Sequence, residues 1–435
     1  MTSFDALTRT VLLIRDFITG GEASDDIVVA ALTFTSVAIV ADEETARLPA
    51  AQTVITSLAA QVVASGAQLE LVIPNVRLAV KQPPLWGSLL RDALLEYVAD
   101  LIPGGGGRAV GAPSPDAVVF FVGNTPATAN STRSALRLGW TKWSATLATA
   151  AEVVPAADTD LPVGALAAAN LGAAEVFKLV VCDLLSAARV DRTYDELSMA
   201  VPVEVVLAPE DTEVTTLDFG RIDMISGGAI ANAFLHGLLR IPQARASLRV
   251  FEPETLDISN LNRYVLARRS AVREHKTVML ASWQTDGVAI SGEPIRFDEN
   301  TPDSMQVLAP IVLMGTDDIP SRWFVQGLQP TWLCVGATIH FTAMVSEHDG
   351  NSACAACVHP EDDDVNAPVA TAAFVSYWAG LLLLVRLLRK HSNRAVNDAE
   401  RVFEVATLQA GSKRGVWLHP ANRSSRCPLH CSRAA

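Results

Sequence analysis

The sequence predicts an α/β protein: a Rossmann-like, doubly wound, mostly parallel sheet in the second half of the chain, preceded by a second α/β domain. Three observations carry this. From Arg221 onward, short apolar runs alternate with stretches of helical spacing, the pattern of strands joined by crossover helices. A small-residue turn, Ile225-Ser226-Gly227-Gly228-Ala229-Ile230-Ala231-Asn232, sits where one such run gives way to a helix, so a phosphate could rest on backbone N–H groups there. Ala117 to Val122 is a continuous apolar run of the kind buried on both faces of a parallel sheet.

Taken in order, Ile27 to Val40 is rich in β-branched residues and predicts a strand, Glu44 to Ala64 a helix, and Leu69 to Ile73 a strand. Pro83-Pro84 predicts a turn, and Leu85 to Ile102 an amphipathic helix that ends at the glycine run 104–107. No Lys-Ser or Lys-Thr pair follows those glycines, so they read as a surface connection rather than a phosphate cradle. Leu161 to Ala188 is a long Ala-rich helix containing Gly172. Val369 to Leu388, with Gly380 embedded, is its counterpart late in the chain. The halves therefore read as distant copies, 1–208 and 209–435, divided within the acidic, weakly patterned stretch Pro202 to Glu213.

The second half predicts Arg221 to Ile225, Ser247 to Glu252, Val307 to Gly315 and Thr331 to Gly336 as strands. Asn232 to Leu239, Lys276 to Trp283 and Ser321 to Leu328 are the intervening helices. In such a sheet, ligands bind beyond the C-terminal strand ends, which is where Gly228, Glu252 and Thr316-Asp317 should converge.

Composition sets further bounds. A chain of 435 residues, half of them hydrophobic, can fill two cores without disulfide support. A net charge of −13 and no long Lys/Arg run argue against a nucleic-acid partner. The Met1-Thr2-Ser3-Phe4-Asp5 start lacks a basic segment followed by an apolar run, so a cytoplasmic location is expected. Thr371 to Leu388 includes Tyr377 and Arg386 and reads as a buried helix, with no membrane partner.

Four of the six cysteines are spaced for metal. Cys354-Ala355-Ala356-Cys357 and Cys427-Pro428-Leu429-His430-Cys431 form two close pairs that would complete a tetrahedral, structural Zn2+ site, with His430 as a competing ligand. Cys182 and Cys334 lie in apolar runs and read as inert core thiols.

The order Ser226-Gly227-Gly228-Ala229-Ile230-Ala231-Asn232, Phe251-Glu252-Pro253-Glu254, Ser259-Asn260-Leu261-Asn262-Arg263, Lys276, Gly315-Thr316-Asp317-Asp318 and Arg322 resembles the ThiF/MoeB/HesA superfamily, adenylating enzymes related to ubiquitin-activating enzymes. It covers Leu217 to Cys431 strongly and the earlier half weakly, as in a bacterial member with an N-terminal pseudo-adenylation domain. Many of these proteins also tie their C-terminal segment to the core through four cysteines.

The resemblance implies that a C-terminal carboxylate attacks the α-phosphate of ATP to give an acyl-adenylate and pyrophosphate, with Mg2+ present. That reaction depends on positioning and charge neutralisation more than on a protein nucleophile. Gly228 would let the backbone approach the phosphates, and Glu252 stands where the family has an Asp that binds the ribose hydroxyls. Asn260 and Arg263 would contact the phosphates or the adenylate, Lys276 would neutralise charge as pyrophosphate leaves, and Asp317 matches the acid associated with magnesium. Ser226 and Ala231 replace two of the usual glycines. Ala suits the third position, where helix packing is the requirement, and Gly227 is expected to absorb any positive φ that Ser226 cannot.

The implied partners are a ubiquitin-like protein or peptide ending in Gly and a conjugating-enzyme-like protein, in a homodimer or in a pseudo-dimer within one chain. Relatives that form a thioester carry a cysteine after the first zinc pair, whereas 359–426 contains none here, only the acidic run Glu361-Asp362-Asp363-Asp364. The first half would be a degenerate companion, with Arg9 and Arg15 as candidate contributors to the neighbouring site. Two other readings are a non-catalytic partner-binding scaffold and a dinucleotide-dependent oxidoreductase. The Ser-Asn-Leu-Asn-Arg run and the cysteine pairs argue against the oxidoreductase.

Overall fold

Each half of the chain builds one sheet, and the two sheets repeat one strand order. The computed structural model describes residues 3–102, 106–127, 134–188, 197, 201–350, 352–360, 370–410, 415–425 and 427–431. The first half runs α1 (Ser3–Leu12), a π-helical turn (Leu13–Ile18), α2 (Asp25–Phe34), β1 (Ser36–Val40), α3 (Glu43–Arg47), α4 (Pro49–Ala64), β2 (Gln68–Val72), α5 (Leu90–Leu101), β3 (Gly107–Ala109), β4 (Val118–Val122), β5 (Ser134–Trp140), β6 (Ser144–Thr149), α6 (Val163–Ala188) and β7 (Val203–Val206).

The second half runs β8 (Asp218–Ile225), α7 (Ala229–Leu238), β9 (Arg245–Phe251), α8 (Lys276–Ala281), β10 (Val288–Glu293), β11 (Ile311–Met314), α9 (Ile319–Gly327), β12 (Trp332–Ile339), β13 (Thr342–His348), α10 (Ala355–Val358), α11 (Ala373–Lys390), β14 (Val402–Ala406) and β15 (Val416–His419).

The first sheet is ordered β3-β2-β1-β4-β5-β6-β7 and the second β10-β9-β8-β11-β12-β13-β14-β15. In both, the strands up to the fifth in order are parallel and the later ones return antiparallel. In both, a long apolar helix precedes the second returning strand: α6 before β7, and α11 before β14. This is the expected α/β class with two parallel-dominated sheets.

The helices that flank the site are fixed by close approaches. A Cβ on Gly380 would lie 2.4 Å from Ala233 Cβ and 2.5 Å from the Ile230 carbonyl, so the α11 backbone touches α7. Gly172 plays the milder counterpart, with Leu58 of α4 at 3.2 Å from the same construction on α6. The Val163–Ala187 stretch has the length and apolarity of a membrane span, yet 83% of its most apolar window is buried inside the fold.

Several expected elements shift. Ile27 to Val40 is helix and then strand. Asp25 and Asp26 sit in the first turn of α2, where acids favour a helix, and Val28 and Leu32 point into the core four residues apart. Only Ser36–Val40 is β. The helix expected from Leu85 begins at Leu90. The strand expected over Val307 to Gly315 is confined to Ile311–Met314. Gly104 and Gly105, Val369, and Glu361 to Asp364 lie outside the described residues.

Candidate functional site

The small-residue turn leaves β8 and starts α7, and its strain falls on an unexpected residue. Ser226 itself adopts φ 93°, in the left-handed region, while Gly227 does not. The reason is local: Ser226 Oγ accepts the Gly228 N–H at 3.0 Å, a bond that a glycine at 226 could not form. Asn232 Nδ2 pins the same turn, donating to the Gly227 carbonyl at 3.1 Å and the Gly228 carbonyl at 2.9 Å. Gly228 has φ −72° as the N-cap of α7. It is needed for closeness rather than handedness, because a Cβ there would lie 3.1 Å from Ser226 Oγ.

Next to this turn, β9 ends at Phe251 and delivers Glu252. Its carboxylate is 6% exposed and accepts the Gly227 N–H at 2.9 Å and the Glu254 N–H at 3.1 Å. The extra methylene relative to Asp therefore lets Glu252 reach back and tie the turn. Lys276, the first residue of α8, lies with Nζ 2.5 Å from Glu254 and 3.9 Å from Glu252. Burial works against its charge, but Tyr264, Glu252 and Glu254 outweigh burial and hold its pKa above the ordinary value.

Asn260 closes a short 3-10 turn with Asp257. Its Oδ1 accepts the Asp257 N–H at 2.9 Å, and the Asp257 carboxylate accepts from Ser259. Three residues on, Arg263 donates its N–H to the Asn260 carbonyl, and its Nη1 donates to the Ser259 carbonyl at 2.7 Å and to Asn262 Oδ1 at 2.8 Å. Burial depresses the Arg263 pKa, and Arg9 adds a like charge that depresses it further.

Beyond β11, two adjacent acids divide their roles. Asp318 caps α9 by accepting the Ser321 N–H at 3.0 Å, whereas Asp317 is exposed and makes no hydrogen bond among the described residues. Arg322 clamps the loop between them and β11, with Nε 3.0 Å and Nη2 2.6 Å from the Thr316 carbonyl. Burial pulls its pKa down to about 10.

Gly228, Glu252, Asn260, Arg263, Lys276, Asp317 and Arg322 all line one cavity of about 330 Å³, at the C-terminal ends of β8, β9 and β11. Arg9 reaches the same cavity from α1 of the other half, and its Nη1 is buried without a hydrogen-bond partner among the described residues. Arg15 does not line it and pairs with Asp16 and Asp25 instead. Sequence reasoning missed Glu254, Tyr264, Arg296, Phe297 and Ser376, which also line it. Glu254 was legible as a second acid two residues after Glu252. The others carry no signal apart from their place in the fold.

The four cysteines come together. Cys354 Sγ is 3.7 Å from Cys357 and 3.3 Å from Cys427, Cys357 is 3.2 Å from Cys431, and all four sulfurs lie within 4.8 Å of one another. Zinc–sulfur bonds of about 2.3 Å in a tetrahedron require sulfurs about 3.8 Å apart, so the group fits Zn2+. His430 is exposed and stands outside the group. The Ser424 N–H donates to Cys357 Sγ at 3.2 Å, the outer bond that a metal-bound thiolate receives. Burial raises the thiol pKa of Cys182 and of Cys334, so neither is poised as a nucleophile.

No family model matches the chain. An uncharacterized protein, y4jF of Sinorhizobium fredii, is 27% identical over 239 residues, covering 53% of this chain and 46% of its own length. The chain thus spans about half the length of that curated relative. Among solved structures, E. coli MccB with MccA aligns with 48% of this chain and 66% of its own, at 16% identity and a TM-score of 0.39. MccB, elsewhere described as a microcin C7 biosynthetic enzyme, has also been solved with ATP, and that structure covers 48% of this chain and 65% of its own at 14% identity and a TM-score of 0.38. PaaA covers 46% of this chain and 64% of its own at 11% identity and a TM-score of 0.37.

Proposed function

We propose that the chain is an ATP-dependent adenylyltransferase acting on the C-terminal carboxylate of a peptide or ubiquitin-like protein. The observation that carries this reading is the convergence of Arg9, Arg263, Lys276, Asp317 and the α7 N-terminus on one cavity, where Arg9 Nη1 is buried with no acceptor among the described residues. A guanidinium N–H left open beside two further cations is satisfied by a polyanion.

In this reading the substrate carboxylate oxygen attacks the α-phosphorus, the bond from that phosphorus to the bridging oxygen breaks, and pyrophosphate leaves with the electron pair. Gly228 admits the phosphates to the helix start, and Glu252 holds the turn and faces the ribose. Arg9, Arg263 and Lys276 neutralise the developing charge, with Asn260 setting the Arg263 backbone. Asp317 would hold Mg2+, which supplies further charge neutralisation on the phosphates. Zn2+ on Cys354, Cys357, Cys427 and Cys431 is structural. No cysteine is assigned a thioester, so the acyl-adenylate is the final product or passes straight to a partner's nucleophile, such as that of a conjugating-enzyme-like protein.

Residues 1–208 act as a degenerate copy that lends Arg9, making the chain its own pseudo-dimer. The shared strand order of the two sheets supports this.

Pyrophosphate exchange tests the reading. With ATP, Mg2+ and a panel of peptides ending in Gly, labelled pyrophosphate should return to ATP, and Asp317→Ala should abolish the return without changing the melting temperature. One observation favours the scaffold alternative: Glu252 and Glu254 already hold Gly227 and Lys276, groups a nucleotide would use. Absence of ATP binding by calorimetry, alongside tight binding of a protein partner, would select that alternative.

A further inference from the structure

The four-cysteine group and the Asp317 loop are joined by a buried chain of hydrogen bonds with a single polarity. Arg322 can only donate, and the Ala353 carbonyl can only accept. Between them, Arg322 Nη1 meets His359 Nδ1 at 3.1 Å, His359 Nε2 meets Ser346 Oγ at 2.7 Å, Ser346 Oγ meets His348 Nε2 at 2.8 Å, and His348 Nδ1 meets the Ala353 carbonyl at 2.7 Å. Every proton is thereby assigned: Arg322 donates to His359, His359 to Ser346, Ser346 to His348 and His348 to Ala353. Both imidazoles are neutral, and Ser346 is fully buried.

Both ends of the chain matter. Ala353 precedes Cys354, and His359 follows Cys357 by two residues, so the sulfur group adjoins both the Ala353 end and the His359 link that meets Arg322. At the other end, the Arg322 fork holds the Thr316 carbonyl and so places Asp317. Helix α9, which carries Arg322, is also docked on the cysteine segment. Gln326 Oε1 accepts the Ala355 N–H at 2.9 Å, and Trp323 Nε1 donates to the His359 carbonyl at 3.1 Å.

We infer that Ser346 and His359 are positioning residues through which metal held by the four cysteines sets the geometry of the Thr316–Asp317 loop. The metal centre is then coupled to the proposed nucleotide site rather than being only a staple for the C-terminal segment. A two-site coupling of this kind is reciprocal and of the order of tenfold.

The inference rests on the proposed nucleotide site only for its consequence, so the test reads the loop directly. Amide hydrogen exchange over Gly315 to Arg322 is measured on the zinc-loaded full chain and after zinc extraction with a chelator, with β1 and β2 as the reference. Protection over Gly315 to Arg322 should fall about tenfold on zinc removal while β1 and β2 stay unchanged. Zinc-loaded Ser346→Ala should show the faster exchange at Thr316 to Asp318 while retaining its zinc, and Ser346→Thr, which keeps the hydroxyl, should restore protection.

Unchanged protection on zinc removal, or a Ser346→Ala protein that exchanges like the wild type, overturns the inference. If the loop responds and no nucleotide binds, the coupling stands and the adenylation reading fails. If pyrophosphate exchange proceeds and the loop is silent, the coupling alone fails. Where both hold, Ser346→Ala should lower the kcat of pyrophosphate exchange about tenfold with KM for ATP unchanged.

Discussion

Replacing Arg9 with methionine should raise stability and destroy activity, a pairing that few structural residues would produce. Arg9 Nη1 is buried without a partner among the described residues, and its charge lies close enough to Arg263 to depress that group's pKa. Leaving one buried donor unsatisfied costs about 1–3 kcal/mol, and methionine keeps much of the aliphatic stem while removing both the donor and the repulsion. The unfolding free energy of Arg9→Met should therefore rise by about 1–2 kcal/mol, read as a higher urea midpoint with an unchanged slope.

In pyrophosphate exchange the same variant loses a donor aimed at phosphate charge, a loss of about 10²–10³ in rate. Arg9→Lys, a point charge without the fork, should fall between the two proteins in activity. A less stable Arg9→Met with full exchange activity would refute the reasoning, because Arg9 would then be a packing residue.

Four further outcomes follow from the same geometry. Glu254→Gln should free Lys276 and lower the KM for ATP about three- to fivefold, the effect being small because Glu254 is 68% exposed. Cys427→Ser should reduce bound zinc by elemental analysis and lower the denaturation midpoint, since structural metal contributes directly to folding. Gly380→Leu should cost about 3 kcal/mol or abolish folding, because the Cβ alone would sit 2.4 Å from Ala233; chemical denaturation measures it. His236 is fully buried, and burial holds its pKa well below the ordinary 6.5, with Arg240 adding to the effect. The unfolded chain then takes up the proton first, so stability should fall as pH drops below about 6.5, and denaturation of His236→Phe across that range should show a shallower fall.

How much of this was legible in the sequence depends on whether a residue's role is local. Continuous apolar strands such as Val118–Val122 and Ile311–Met314, and the long helices carrying Gly172 and Gly380, announce themselves by composition and length. The antiparallel returns do not. Ser144–Thr149 and Thr342–His348 mix small and polar residues, and their pairing is set by neighbours distant in sequence. At the site, the turn, Glu252 and Asp317 follow from strand order and Lys276 from the family resemblance, and they line one cavity. The location of the strained residue was misjudged, because φ at Ser226 is governed by where its hydroxyl bonds rather than by which neighbour is a glycine. Ser346, His348 and His359 had no local signature, since their roles come from a chain of contacts that forms only when β13, α9 and the cysteine segment meet.

The two halves share a strand order, and one difference between them lies at a corresponding turn. After β8 the chain offers Gly227 and Gly228 at the start of a ten-residue helix. After β1 it offers Ala41-Asp42-Glu43-Glu44, with Asp42 accepting the Thr45 N–H at 2.8 Å at the start of α3. A phosphate there would meet three carboxylates in place of free N–H groups. A like charge about 4 Å away costs on the order of 1 kcal/mol even in water-like surroundings. The acidic cap disfavours a phosphate in the first half, while α1, which precedes its sheet, reaches across to put Arg9 into the cavity of the second half. On this reading the duplication survives because the inactive copy supplies what the active one lacks. Exchanging Asp42, Glu43 and Glu44 together for Gly or Ser should not create a second nucleotide site, since Arg137, the cation that reaches Thr125 beside Asp42, is already held by the Gly123, Thr125 and Ala150 carbonyls. A measured stoichiometry of two nucleotides per chain in that variant would show that the acidic cap alone had kept the first half silent.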